Sequence, residues 1–377
     1  MTPREVPPKR AEDRELAFLR QARMNPGWLL AAIDVVNDRA AFARLDEHGY
    51  RQANFLDQRA FGSNYRPVIT RLSSLLEAAA DAPEATPVHF IFHPGHVGST
   101  LISRLLGELD RVLSLREPVP LLDLAGLWRE QGTPLAALSP ADYRRLEDTV
   151  IRLLGRRFSP GQPVIVKATS ECCNLARRLL SHDSRNSAVW WYVDLETFLA
   201  GMLRNDLRRQ ETIGFARGRL ADLHRRTGTG TPALHELDAA TKAAANWLSV
   251  MANRLDVPEE GSHRVLDIHF HDFLAEPAGV LARVAGHLGL EADEDAVRRV
   301  VESDWMFRYA KSPQEPFDAH NRYRQLAESH QRNREAIERA LAFADRLCGE
   351  HEALAPLARR LRPGAAPAEL SSPARNP

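Results

Sequence analysis

Cysteine and lysine are the scarce residues of this chain. Its 377 residues hold three cysteines, Cys172, Cys173 and Cys348, too few for a disulfide framework and without the Cys-x-x-Cys spacing of zinc or redox sites. The adjacent pair reads as packing, because neighbouring cysteines bond only with backbone strain. A reducing compartment follows. Lysine occurs only at Lys9, Lys167, Lys242 and Lys311, so arginine is the habitual cation, and a retained lysine marks a place where a compact point charge is useful. Net charge is missing too: 50 basic residues balance 50 acidic ones, which argues against a nucleic-acid partner and makes any anion binding local. No apolar run approaches membrane-spanning length. The chain leads through Pro7, Pro8, Lys9 and Arg10 into charged sequence rather than an apolar signal core, so the expected location is the cytoplasm, with no membrane partner.

What is present is enough apolar sequence for one large core. Residues 1–82 read as a helical N-terminal extension, with helical spacing at Leu16 and Leu19, over Trp28 to Val36 and over Val68 to Leu76. Pro83 and Pro87 then punctuate the chain, and an α/β domain is expected over 83–361. Five short apolar runs predict buried strands: Val88 to His93, Arg111 to Leu115, Pro163 to Lys167, Ala188 to Val193 and Arg264 to Phe270. Helical patterns separate most of them, at Leu101 to Leu109, Asp142 to Leu154, Asn174 to Leu180, Leu195 to Arg209 and Pro277 to Leu288. That alternation predicts a parallel sheet of about five strands with helices on both faces. The Gly/Thr-rich piece Thr227 to Thr231 reads as a mobile loop, and 362–377 as a disordered tail.

The run HFIFHPGHVGSTLISRLL is a strand, a glycine-containing turn and an amphipathic helix beginning near Ser99. Such a unit aims backbone N–H groups and the positive end of a helix dipole at the carboxyl edge of the sheet, where a phosphate can sit. Gly95 and Gly98 allow the backbone to approach an anion, and Ser99 and Thr100 add hydroxyl donors. The loop is not a Walker A motif, because Gly98 stands where the lysine before Ser99 would be. The bland reading is a capped helix after a tight turn.

The loop Gly95-His96-Val97-Gly98-Ser99-Thr100 resembles that of the sulfotransferase family, Pro-Arg/Lys-Ser-Gly-Ser/Thr-Thr, with His96 at the basic position. The run from Arg264 to Leu290, which contains VLDIHFHDFLAEPAGVLARVAGHLGL, is similar to the family's late strand, Tyr-Glu-Asp-Leu stretch and helix ending in Leu-Gly-Leu. His271 stands at the family's glutamate. Tyr309 to Pro313, YAKSP, is similar to its C-terminal nucleotide-contacting segment. The resemblance covers most of residues 88–350. It implies a P-loop NTPase-like fold, 3′-phosphoadenosine-5′-phosphosulfate as donor without metal, and a small hydroxyl or amine acceptor held by 119–160 and 210–250. It also implies that Gly95, His96, Val97, Gly98, Ser99, Thr100, Lys167, Arg308 and Lys311 bind the nucleotide, with Glu117 and His96 catalytic. The family's Arg and Ser for the 3′-phosphate fall on Val193 and Gly201, leaving Arg185, Arg204, Arg308 or Lys311 to replace them.

In chemical terms Glu117 can take a proton from the acceptor, and His96 can stabilise or protonate the leaving oxygen. As alternatives, Glu117 pairs with Arg116 or Arg177 or caps the helix near Pro118. His269 and His271 share a strand face in this reading, but no metal site is expected, because no carboxylate or cysteine completes a ligand set. The arginines from Arg204 to Arg226 are interrupted by Asp206, Glu211 and Asp222 and read as a solvated helix face. Trp190, Trp191 and Trp247 read as core. Two rival functions stay open: a nucleotide- or partner-binding protein without transfer, and a kinase-like phosphotransferase, the latter disfavoured by the missing lysine. The sequence leaves the oligomeric state open.

Overall fold

The structure is a computed structural model that describes residues 8–62, 65–79, 86–109, 111–228, 232–258, 261, 263–310 and 312–363. The expected boundary at 82/83, most of the Thr227 to Thr231 loop and most of the 362–377 tail lie outside these residues. Two compact units result, one from Met1–Tyr192 with Asn253–Asp318, the other from Val193–Ala252 with Ala319–Pro377.

The first unit opens with helix α1 (Pro8–Met24) and then departs from the helical extension expected. Trp28–Asp34 is strand β1, Arg39–Arg44 is β2 and Val68–Arg71 is β3, in an antiparallel sheet ordered β1-β2-β3. Short apolar runs do not distinguish strand from helix by spacing. Here the turn decides: the Asp34 carboxylate accepts the Val36 and Asn37 N–H groups at 3.1 and 3.0 Å, Asp38 takes φ +51°, and the chain reverses instead of coiling. α1 covers the sheet through Phe18, whose ring stands edge-on to Trp28 and Phe42. Short helices α2 (Glu47–Gln52) and α3 (Leu72–Ala79) complete this layer.

The α/β fold expected from the sequence is present. Strands β4 (His89–Phe92), β5 (Leu113–Arg116), β6 (Val164–Lys167), β7 (Ala188–Tyr192) and β8 (Val265–His269) form one parallel sheet ordered β5-β6-β4-β7-β8. Helices α4 (Ser99–Glu108), α5 (Val119–Glu130), α6 (Pro140–Leu154) and α7 (Ala176–Ser181) lie among these strands in the chain, and the helix Pro277–His287 follows β8. Phe90, Ile91, Phe92, Val164, Ile165, Val166, Trp190 and Trp191 are fully buried, as strands covered on both faces require. Register aligns the strand ends: Arg116 opposite Lys167, Ile91 opposite Lys167, Phe92 opposite Trp190, and Tyr192 opposite His269. β4 is central, and the chain leaves it towards β5 but leaves its neighbour β7 towards β8. That reversal opens a crevice beyond the carboxyl ends of the strands.

The second unit is helical: α8 (Leu195–Met202), α9 (Asp206–Thr227), most of α10 (Ala239–Leu255), Ala319–Arg332 and Arg334–Glu350. The single helix expected over Leu195 to Arg209 is two, because Asn205 accepts the Arg208 N–H and starts α9 afresh. Trp247 is buried and donates to the Val193 carbonyl at 3.0 Å. No helix among the described residues is long and apolar enough to cross a membrane.

Candidate functional site

The loop from β4 to α4 is wound through the left-handed region. Gly95 has φ +96°, His96 +54° and Gly98 +79°; glycine takes such angles at no steric cost, whereas a histidine there is strained. Its neighbours hold it in place. The His93 ring, buried at the strand end, accepts the Gly95 N–H at Nδ1 (2.9 Å), and the Trp191 indole donates to the Val97 carbonyl (2.7 Å). The Phe270 ring lies so close to Gly98 that an added Cβ would stand 2.5 Å from it. α4 then starts at Ser99, with Leu101 and Ile102 N–H both on the Gly98 carbonyl. Thr100 is buried and its hydroxyl has no hydrogen-bond partner among the described residues. A buried hydroxyl without a partner is costly. Beside a helix N-terminus, it suits an oxyanion that would complete its hydrogen bonding.

Glu117 directly follows β5 and also has positive φ, +54°. Its backbone N–H donates to the Lys167 carbonyl at 2.8 Å, and its Oε1 accepts a hydrogen bond from Lys167 Nζ in an ion pair. The lysine side chain is fully buried, and the glutamate is partly exposed. An isolated buried ammonium is expensive, so this carboxylate is its necessary counter-charge. Glu117 Oε2 has no hydrogen-bond partner among the described residues. Neither arginine weighed as a partner serves as one. The buried Arg116 guanidinium donates instead to the Tyr50, Arg51 and Ala53 carbonyls at 2.6–2.8 Å, and Arg177 is exposed. Burial, with Arg104 beside it, pushes Arg116 down to about 9.

The remaining residues are placed as follows. Arg308 is exposed and pairs with Asp304 at 2.6 Å; Lys311 lies outside the described residues. Arg185, offered for a 3′-phosphate, pairs with Asp183 ahead of β7, at the amino edge of the sheet, opposite the loop. In the second unit Arg204 donates to Gln325, the Val193 carbonyl accepts from Trp247, and the Gly201 carbonyl accepts from Arg208 at 3.1 Å. The pairing of His269 and His271 on one strand face is corrected. β8 ends at His269, whose Nδ1 accepts the His271 N–H (3.3 Å), and His271 lies in the short helix Phe270–Ala275. No group of His, Cys, Asp and Glu able to hold a metal occurs among the described residues. The clamps on the loop, Trp191 and Phe270, were not legible as site residues, since each reaches it only through the order of strands. Trp190 and Trp247 are buried core, and Cys172 and Cys173 are buried and form no disulfide among the described residues.

No protein-family model matches the chain, and no curated protein matches it. Solved structures do. The sulfotransferase domain from the curacin biosynthetic pathway is 14% identical with a TM-score of 0.40, covering 66% of this chain and 98% of its own. The sulfotransferase domain of the Synechococcus PCC 7002 olefin synthase is 16% identical with a TM-score of 0.36, covering 67% and 96%. Mouse sulfotransferase SULT7A1 complexed with PAP is 10% identical with a TM-score of 0.38, covering 79% and 97%. The chain is similar to these sulfotransferases at identities of 16% or less.

Proposed function

We propose that this protein transfers a sulfuryl group from 3′-phosphoadenosine-5′-phosphosulfate to a small hydroxyl or amine acceptor. The observation that carries the reading is the loop after β4: three residues of positive φ, a helix start and a buried Thr100 hydroxyl with no partner among the described residues, on the same sheet edge as the Glu117 carboxylate. That unsatisfied hydroxyl fits a phosphate oxygen. Gly98 in place of a Walker lysine favours sulfuryl over phosphoryl transfer.

The donor supplies the sulfuryl group: an oxygen–sulfur or nitrogen–sulfur bond forms at the acceptor as the sulfur–oxygen bond to the nucleotide breaks. Gly95, His96, Val97, Gly98, Ser99 and Thr100 would hold the nucleotide's 5′-phosphate through backbone N–H groups and hydroxyls. Glu117 Oε2 would receive the acceptor's proton. Lys167 orients Glu117 through the other oxygen, and His96 offers charge or a proton to the departing oxygen. Arg308 and Lys311 are kept as candidates for the rest of the nucleotide.

The test combines calorimetry of adenosine 3′,5′-bisphosphate with a transfer assay using labelled donor and a pool of small hydroxyl and amine compounds. Binding with transfer supports the reading. Val193 and Gly201, which offer no cation, favour a second reading, a nucleotide-binding protein without transfer. Binding of the bisphosphate with no transfer to any pool would select it, and absence of binding would remove both.

A further inference from the structure

The outer edge of the parallel sheet is β5, and an edge strand exposes backbone groups that something must cover. At its carboxyl end the cover comes from the segment after α2. Leu56 N–H donates to the Arg116 carbonyl at 2.7 Å, while the Arg116 guanidinium reaches back to the Tyr50, Arg51 and Ala53 carbonyls. Arg104, also buried, donates to the Arg51 and Gln52 carbonyls at 2.6 and 2.8 Å. Two buried guanidiniums thus fasten residues 50–56 beside the turn that carries Glu117. Phe55 to Arg59 are thereby held beside Glu117, near enough for the Glu117 charge to act on the Arg59 guanidinium.

Arg59 is immobilised there in an unusual way. Its guanidinium lies 3.8 Å over the Phe55 ring. Its Nε donates to both Asp57 oxygens at 2.9 and 3.0 Å, and its Nη2 to Asp57 Oδ2. Nη1 has no partner among the described residues. The side chain is about two-thirds exposed (65%), so a flexible arginine would ordinarily be spread over many rotamers. Here one face and one edge are fixed, and the other edge presents N–H donors. The Asp57 hydrogen bonds, and at longer range the Glu117 charge, raise the guanidinium above its usual value. A pre-oriented fork of this kind binds a carboxylate with little further loss of side-chain freedom.

We propose that Arg59, held by Asp57 and Phe55, is a specificity-determining residue that selects acceptors carrying a carboxylate in addition to the hydroxyl or amine presented to Glu117. The inference rests on the transferase reading for the identity of the reacting group, and on the geometry of Phe55 to Arg59 for the carboxylate.

The full chain, saturated with adenosine 3′,5′-bisphosphate, is titrated with hydroxy acids of three lengths, 4-hydroxybenzoate, 4-hydroxyphenylacetate and 3-(4-hydroxyphenyl)propionate, and with their amides. The labelled-donor assay then gives kcat/KM for the same pairs. At least one acid should bind and react about 10-fold or more better than its amide, since a hydrogen bond to a charged group is lost in the amide. Arg59→Gln should bring that ratio near one, mainly through KM, with nucleotide affinity unchanged. Asp57→Asn should lower it part of the way by loosening the arginine. An acid-to-amide ratio near one in the wild type, absence of binding by all three acids, or a ratio that Arg59→Gln leaves intact overturns the inference. Acids that bind in an Arg59-dependent way but are never sulfated leave the carboxylate site standing and overturn the transferase reading instead.

Discussion

At the amino ends of the parallel strands, the His89 ring accepts the Ser187 N–H at 3.2 Å. The Asn186 side chain accepts the Val88 N–H at 2.9 Å and donates to the Leu179 carbonyl at 2.8 Å. Arg264 donates to the Leu180 carbonyl at 2.6 Å, and His287 Nε2 lies 3.0 Å from the Ala188 carbonyl. At the carboxyl ends the same device recurs, with His93 accepting from Gly95 and His269 from His271. There it stands beside features with no structural benefit of their own. His96 and Glu117 are two of the four described non-glycine residues with positive φ; Thr100 has a buried hydroxyl without a partner among the described residues; and a fully buried lysine is paired with a carboxylate. One edge uses its polar groups to tie the sheet together and holds one strained residue, Arg111 at φ +63° ahead of β5; the other holds two, beside the Thr100 hydroxyl that has no partner among the described residues. Strain and unsatisfied groups persist where a ligand completes them.

The most severe break of that contrast is Glu117→Gln. Loss of the proton acceptor should lower turnover roughly 100-fold or more, and taking the carboxylate away from the buried Lys167 ammonium should cost about 3 kcal/mol of stability. Adding Lys167→Met should restore much of the stability, read by denaturant unfolding, without restoring turnover. Recovery of both would remove the proton-transfer role and leave only the structural one.

Gly98→Ala comes next. Its new methyl would meet the Phe270 ring on a backbone held at φ +79°, a cost of about 2–3 kcal/mol. Nucleotide affinity should fall with it, because the loop must move. Calorimetry at unchanged affinity would show that the loop is not the anion site.

Asn186→Ala sharpens the comparison from the other edge. Two buried backbone groups lose their partner, so stability should fall by about 2 kcal/mol while nucleotide affinity stays at the wild-type value. A large drop in affinity would mean that the two edges are not independent.

The smallest effect concerns acid. Burial first, then His287 and Arg157, pushes His89 down to about 4, below the usual imidazole value near 6.5. Its contribution is therefore fully present above about pH 6.5 and lost as pH falls towards 4. His89→Asn, which cannot be protonated there, should flatten the pH dependence of the melting temperature between pH 7 and 4. An unchanged slope would assign the acid sensitivity to other groups.

Much of the fold was legible because it depends on local pattern. Five short apolar runs and the helices between them predicted the parallel sheet, since strands buried on both faces need uninterrupted apolar residues. The loop residues were legible for the same reason, glycine spacing between a strand and a helix being a local signal. Trp28 to Val36 misled because its run of apolar and small residues, broken only by Asp34, fits either a helix or a strand. The deciding contacts, Asp34 with its turn and Phe18 against Trp28 and Phe42, involve turn chemistry and packing across sequence. His271 misled because the strand stops at His269 and its ring caps the next helix.

The sequence by itself determined the strand-and-helix order, the scarcity of lysine and the glycine loop, each a property of neighbours along the chain. Only the tertiary structure decided that Lys167 faces Glu117, 50 residues away in the chain, that Phe270 and Trp191 press on the loop, and that Arg59 comes within reach of the Glu117 charge. Those choices follow from which strand lies beside which. Charge pairing then obeys burial: a lysine carried into the sheet must find the carboxylate that topology brings next to it.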